Sequence, residues 1–287
     1  MSAVASSEPT TPTDADEEPS TGGARALVEG LLFGVGDPIV YIGQTLRGFA
    51  DVFRRTLIFI LQGKIRWGEV VQQCHEIGNR SVIFIMFTLG FLGMILVFQA
   101  GFQAQRITGD LRPLGGLFLQ VLLREFAPTI TALMIATRVG TGIAAEIGSM
   151  VVTEQVDAMR MNAAPPVQYL IVPRFIAGTA MMIALVAIAI VVCFIAGMFT
   201  ALYGFNVNPR TFVNFSFVTY ADLMICMSKA LAYGMAIPIV AGHTGLATHG
   251  GSAGVGWATT QSVVNCSLTV VVLDFLLSGL SYVFLSM

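Results

Sequence analysis

The sequence predicts an all-α integral membrane protein: an N-terminal interfacial amphipathic helix followed by five transmembrane helices. Three observations carry this reading. Of 287 residues, 55% are hydrophobic and only 11% charged, where an average soluble domain carries about 25% charged residues. Five segments are apolar over the roughly 20 residues that an α-helix needs to cross a hydrocarbon core of about 30 Å. Charges inside those segments are sparse: Arg124, Glu125, Arg138 and Glu146 share the second, Lys229 stands alone in the fourth and Asp274 in the fifth.

Taken in order, residues 1–23 hold five acids and no base among Ser, Thr and Pro, the composition of a disordered tail. No basic stretch followed by an apolar core precedes a cleavage site there, so the start does not read as a cleavable signal peptide. Residues 24–80 read as interfacial or elbow helices. From Ile39 to Leu61 the apolar Ile42, Leu46, Phe49, Phe53 and Leu57 recur at helical spacing, with Arg47, Asp51, Arg54 and Arg55 at other positions. That pattern suits a helix lying in the membrane interface; a helix docked on protein has the same one. A second run, with Trp67, Val70, Val71, Cys74 and Ile77 on one face, leads to Arg80. The spans follow at approximately Ser81 to Ala104, Leu117 to Gly148, Phe175 to Phe205, Leu223 to Gly242 and Val263 to Leu285. The second and third exceed one crossing, which implies tilt or extension beyond the bilayer.

Seven Lys and Arg lie between Arg25 and Arg80, against Arg106 and Arg112 in the next loop. The positive-inside rule then places the N-terminus in the cytoplasm, with segments 149–173 and 243–262 on that side and the C-terminus outside. Arg160 and Arg174 inside and Arg210 outside agree.

On the second span Ala132, Ala136, Gly140, Ala144 and Gly148 recur every four residues, a stripe that lets another helix approach closely. Arg138 beside it costs about 3 kcal/mol in hydrocarbon, so it must face protein, water or an anionic ligand. Arg138, Glu146, Lys229 and Asp274 read as ion pairs linking helices. The alternative is an ion or proton relay in a secondary transporter.

No G-x-x-x-x-G-K-[ST] or H-E-x-x-H occurs, so no ATP site or zinc protease site is indicated. His75, His243 and His249 lack ligand or triad spacing, and Cys74, Cys193, Cys226 and Cys266 form no C-x-x-C. No catalytic residue, metal, cofactor or nucleic-acid partner is expected. The run Gly250 to Gly256, GGSAGVG, lacks the strand and downstream acid of a dinucleotide site and reads as a flexible or tightly turned loop. Met150 to Met161 presents Thr153, Glu154, Asp157 and Arg160 on one face and Val152, Val156 and Met159 on another. It is either a connector or a short amphipathic helix that docks a partner.

The run LLREFAPTITALMIATRVGTGIAAEIGSMVVTEQVDAMRMNAAPPVQYLIVPRFIAG resembles the signature region of the MlaE/YrbE family, the permease subunits of MCE-type ABC lipid transporters. GGSAGVGWATTQSVVNCSLTVVVLDFLLSGL is similar to that family's closing segment, and the resemblance extends from about Val70 to Leu285. It implies an MlaE-type permease domain over 81–287 and a homodimer that encloses a lipid cavity in the bacterial cytoplasmic (inner) membrane. It also implies phospholipid cargo, moved to maintain envelope lipid asymmetry or for lipid uptake. An ABC ATPase subunit would dock from the cytoplasm on Thr153, Glu154, Gln155, Asp157 and Arg160, and an MCE-domain protein would sit on the outer face. Arg124 and Glu125 match the charged pair near the family's lipid cavity, with Arg138 as a further candidate contact. Ala127, Ala163 and Ala164 stand where Gly is common in relatives.

The charge bias makes a prediction about sidedness. Single Cys probes at Ser20 and Ser252 should be labelled only from the cytoplasmic side, and one at Ser286 only from outside; outside labelling at Ser252 contradicts the five-span topology.

Overall fold

The computed structural model describes residues 43–63, 65–107 and 109–286. The acidic tail 1–23 and positions 39–42 of the amphipathic segment lie outside the described residues, which contain helices and no strand. Five helices are long and apolar enough to cross a membrane: span one Trp67–Ile107, span two Leu114–Val152, span three Val167–Phe205, span four Tyr220–Leu246 and span five, from Gly251 onward. Spans two and four bury half of their most apolar window and span five 11%. Two and four are therefore the centre of the bundle, and span five lies at its edge.

Two expectations are corrected. The run Trp67 to Ile77 is no separate element but the first turns of span one, so a boundary at 80/81 falls inside a continuous helix. On its supposed apolar face Val70 and Ile77 are buried while Trp67 and Val71 are exposed. The GGSAGVG run is not a loop either: Gly250 and Gly251 turn the chain at φ 87° and 75°, and the helix of span five runs from Gly251 to Ser286. Without an intervening proline, small residues continue the apolar helix that follows them.

A helix over 43–61 precedes the spans. From Gly48 on it docks on protein with one face, Phe49 standing edge-on to His243 at 5.0 Å and Phe53 to Phe175 at 6.2 Å. Leu57, Ile58 and Leu61 remain exposed beside the Asp51–Arg54 and Asp51–Arg55 ion pairs.

Close approach explains the packing of the central helices. All five small residues of the span-two stripe are buried. A β-carbon on Gly140 would come within 3.3 Å of Cys266 Sγ of span five, and one on Gly148 within 2.9 Å of Thr248 Oγ1. The stripe is consumed within the chain's own bundle, which turns the opposite face of span two, with Arg138, Gly142 and Glu146, outward.

Spans two and three depart from the α-helix at defined points. Leu122–Phe126 and Val167–Ile171 are π-turns, one ending just before Ala127-Pro128 and the other just before Val172-Pro173. Proline has no N–H and its ring clashes with the carbonyl four residues back, here Arg124 and Tyr169. Widening the preceding turn relieves the clash, and Ala127 N–H bonds Leu122 O while Val172 N–H bonds Val167 O. A third π-turn, Ala136–Gly140, has no proline; there Thr141 Oγ1 donates to the carbonyls of Thr137 and Arg138 at 2.6 and 2.9 Å, the side-chain insertion that bends helices.

Between spans two and three lies a short linker helix, Gln155–Met161. It ends in a Schellman motif: Ala163 N–H bonds Arg160 O at 3.1 Å and Ala164 N–H bonds Met159 O at 2.9 Å. The motif needs a left-handed residue at Ala163, whose φ is 56°, a conformation costing an L-residue with a β-carbon roughly 1–2 kcal/mol. Ala163→Gly should stabilise this end by about 1 kcal/mol, seen as slower amide hydrogen exchange at Ala163 and Ala164; faster exchange refutes the strain.

Candidate functional site

Pro128 sets up the polar centre of the bundle. It leaves the Arg124 carbonyl without its regular helical donor, and the Lys229 ammonium of span four fills the vacancy at 2.8 Å. The π-turn also lets two consecutive side chains reach span four, although neighbours on a regular helix point about 100° apart. Arg124 Nε donates to Asp222 Oδ1, while Glu125 Oε2 accepts from Lys229 Nζ at 2.7 Å.

Asp222 has two duties. Its Oδ2 accepts the Thr219 N–H at 2.8 Å, closing the capping box that starts span four. Its Oδ1 takes Arg124, so the start of span four is tied to span two through one fully buried carboxylate. The Arg124 side chain remains 35% exposed, and only its Nε is hydrogen-bonded among the described residues, which leaves its terminal guanidinium nitrogens for a further acceptor.

Lys229 is fully buried and collects every group around it. It lies 2.8 Å from Asp274 Oδ1 of span five and donates to Ser278 Oγ at 2.7 Å. Ser278 in turn donates to Glu125. Asp274 Oδ1 also accepts from Tyr233 at 2.7 Å and Thr129 at 3.0 Å. The network thus joins spans two, four and five. It sets two cations, Arg124 and Lys229, against the carboxylates of Glu125, Asp222 and Asp274, and Glu125 is the most exposed of those three at 45%.

The other candidates lie toward the opposite end of span two. Arg138 and Glu146 do not pair; Glu146 bonds Arg174 of span three at 2.7 Å, and Arg174, 6% exposed, also donates to Leu170 O. Arg138 is exposed, without an ion pair among the described residues. Thr153, Glu154, Gln155, Asp157 and Arg160 are all exposed, with Asp157 bonded to Arg160 at 3.0 Å. Val156, 2% exposed, anchors the linker helix, and Glu154 at its start has φ 59°.

Sequence reasoning missed Asp222, Tyr233, Ser278 and Thr129. For Asp222 a signal existed: Thr219-x-x-Asp222 is a capping-box pattern, overlooked because the span was started one residue later. Arg174 was read only as a topogenic charge.

Five apolar helices, locked internally by buried ion pairs and with an exposed linker helix between the second and third, define a multi-pass membrane protein. The chain belongs to the MlaE permease family: the family's profile, Permease MlaE, matches residues 70–280. It is 36% identical over 230 residues to a probable ABC transporter permease protein of Synechocystis sp., covering 79% of this chain and 87% of that one. It is 32% identical to protein TRIGALACTOSYLDIACYLGLYCEROL 1, chloroplastic, of Arabidopsis thaliana, covering 92% of this chain and 76% of that one. A probable ABC transporter permease protein of Rickettsia bellii is 29% identical, with 86% and 96% covered.

The network predicts an asymmetric mutational response. Lys229→Met leaves Glu125 and Asp274 without their cation and should destabilise the protein by about 3–5 kcal/mol. Adding Glu125→Gln and Asp274→Asn should restore part of that loss. Thermal unfolding in detergent checks both; an unchanged midpoint for Lys229→Met contradicts the pairing.

Proposed function

We propose that this chain is the permease subunit of an ATP-driven phospholipid transporter, acting as a homodimer in the bacterial cytoplasmic (inner) membrane. An ABC ATPase subunit would act on the cytoplasmic side and an MCE-domain protein on the outer face. The observation that carries the proposal is membership of the MlaE permease family over residues 70–280. The name of the Arabidopsis relative, which contains trigalactosyldiacylglycerol, suits a glycerolipid cargo.

The geometry supports a division of labour. Thr153, Glu154, Gln155, Asp157 and Arg160 offer an exposed polar face to an ATPase, and the buried Val156 keys that face to the bundle. The helix of span two ends at Val152, so only the Thr153–Glu154 turn separates the docking face from span two. A push on the linker helix would pass along span two to Arg124 and Glu125 at its far end and change the packing there, a two-state switch. Arg124, oriented by Asp222 and still partly exposed, could then meet a lipid phosphate with its terminal nitrogens. Two protomers would enclose the acyl chains.

The rival is an ion-coupled secondary transporter using Arg138, Lys229 and Asp274. Lys229 is already held by Glu125, Asp274, Ser278 and the Arg124 carbonyl, which supports a structural role. Flux that persists without any ATPase would favour the rival.

The docking face supplies the test. Glu154→Lys with Asp157→Lys replaces complementarity by mismatch at a cytoplasmic interface. The pair should lower ATPase co-purification and lipid transport at least tenfold while the fold and bound lipid persist. Normal ATPase stoichiometry with normal transport would refute the coupling role.

A further inference from the structure

At the end of the bundle that carries the linker helix, spans one and two part around a cavity of about 310 Å³ lined by Glu76, Arg80, Ser81, Arg138 and Glu146, with Gly142 in its wall. Its charges are not all paired by contact. Glu146 is taken by Arg174 at 2.7 Å, but among the described residues Arg80, Arg138 and Glu76 have no ion-pair partner. The Ser81 hydroxyl, on a residue 1% exposed, has no hydrogen-bond partner. An unpaired guanidinium beside hydrocarbon and an orphaned buried hydroxyl are each unfavourable. Two guanidiniums, a hydroxyl and a carboxylate in one cavity thus share one deficit, which a ligand carrying both an anion and a cation removes.

The position narrows the ligand further. Arg80 immediately precedes the apolar run that begins at Ser81, so the cavity lies at the hydrocarbon boundary. From Arg80 the same face of the helix continues through Phe84, Phe87 and Phe91, which are 45%, 66% and 60% exposed. The cavity is at the lower limit of small-molecule sites, about 300–1,000 Å³. It has room for a polar headgroup and none for acyl chains, which the phenylalanine strip outside it can carry.

We propose that this cavity is a second lipid site, taking the headgroup of an aminophospholipid from the leaflet on the linker-helix side. Arg80 and Arg138 hold the phosphate, Glu76 holds the ammonium, and the chains lie along Phe84, Phe87 and Phe91. It is separate from Arg124, 14 residues away on span two, about 20 Å along a helix. The proposal rests on the reading that the chain handles phospholipid. The permease then meets lipid at both leaflets.

The test uses the full-length protein in mild detergent, with benzoylphenylalanine at Gln73, also in the cavity wall, as a crosslinking reporter and native mass spectrometry for total bound lipid. Probes are short-chain phosphatidylethanolamine, short-chain phosphatidylglycerol and inorganic phosphate. Gly142→Leu should fill the cavity without distorting the fold, because nothing lies within 4 Å of its β-position. Gly142→Leu and Arg80→Gln/Arg138→Gln should each lower phosphatidylethanolamine crosslinking at least tenfold at unchanged melting temperature. Glu76→Gln should weaken phosphatidylethanolamine at least threefold and leave phosphatidylglycerol unaffected. Millimolar inorganic phosphate should not displace the lipid; displacement by phosphate alone marks a free-anion site and overturns the proposal. Wild-type crosslinking in both the Gly142→Leu and the double Arg variant also overturns it, and the phospholipid reading survives as long as native spectra retain lipid. Absence of any bound lipid in every sample counts against that reading instead.

Discussion

A lysine ammonium inside a membrane bundle has to be surrounded, because neither hydrocarbon nor the self-bonded backbone of a regular helix replaces its water. Lys229 meets this demand with Glu125 and the Arg124 carbonyl from span two and with Asp274 and Ser278 from span five. Four acceptors from two other helices converge on one ammonium, so the depth and rotation of those helices are constrained together. Apolar packing alone specifies this poorly, since in lipid a leucine gains little by facing a helix rather than an acyl chain.

That constraint depends on a local defect. Without Pro128 the Arg124 carbonyl would bond within its own helix, and without the π-turn before it Arg124 and Glu125 would diverge. One proline thus converts a regular helix into a platform that offers a carbonyl, a carboxylate and a guanidinium to span four. Asp222 completes the platform and caps the helix it belongs to, so secondary structure and tertiary pairing share a carboxylate. The small-residue stripe acts on the same helix from the other side: by burying itself against spans four and five it turns Arg138, Gly142 and Glu146 outward.

The two ends of span two are therefore different in kind. Around Arg124 and Glu125 most charges are matched within the chain, which makes that end a rigid frame. Around Arg138 they are not, and the free groups face a space between helices.

The sequence by itself determined the all-helical membrane class, the five spans and the family resemblance from about Val70 onward, because hydropathy over 20 residues and a long contiguous motif are local properties. It also marked Arg138, Glu146, Lys229 and Asp274 as unusual, since a charge in an apolar run is visible without knowing its neighbour, whereas Arg124 and Glu125 stood out only through the family resemblance. Which charge meets which was decided only by the tertiary structure: Glu146 turns to Arg174 rather than to Arg138, and Arg124 to Asp222, 98 positions away. Pairing depends on helix rotation, and rotation here depends on π-turns, which arise from backbone strain at a proline or a threonine. The span-five start was misread for a related reason, because glycines that could form a loop become helix once the apolar segment behind them extends the hydrogen-bond ladder into them.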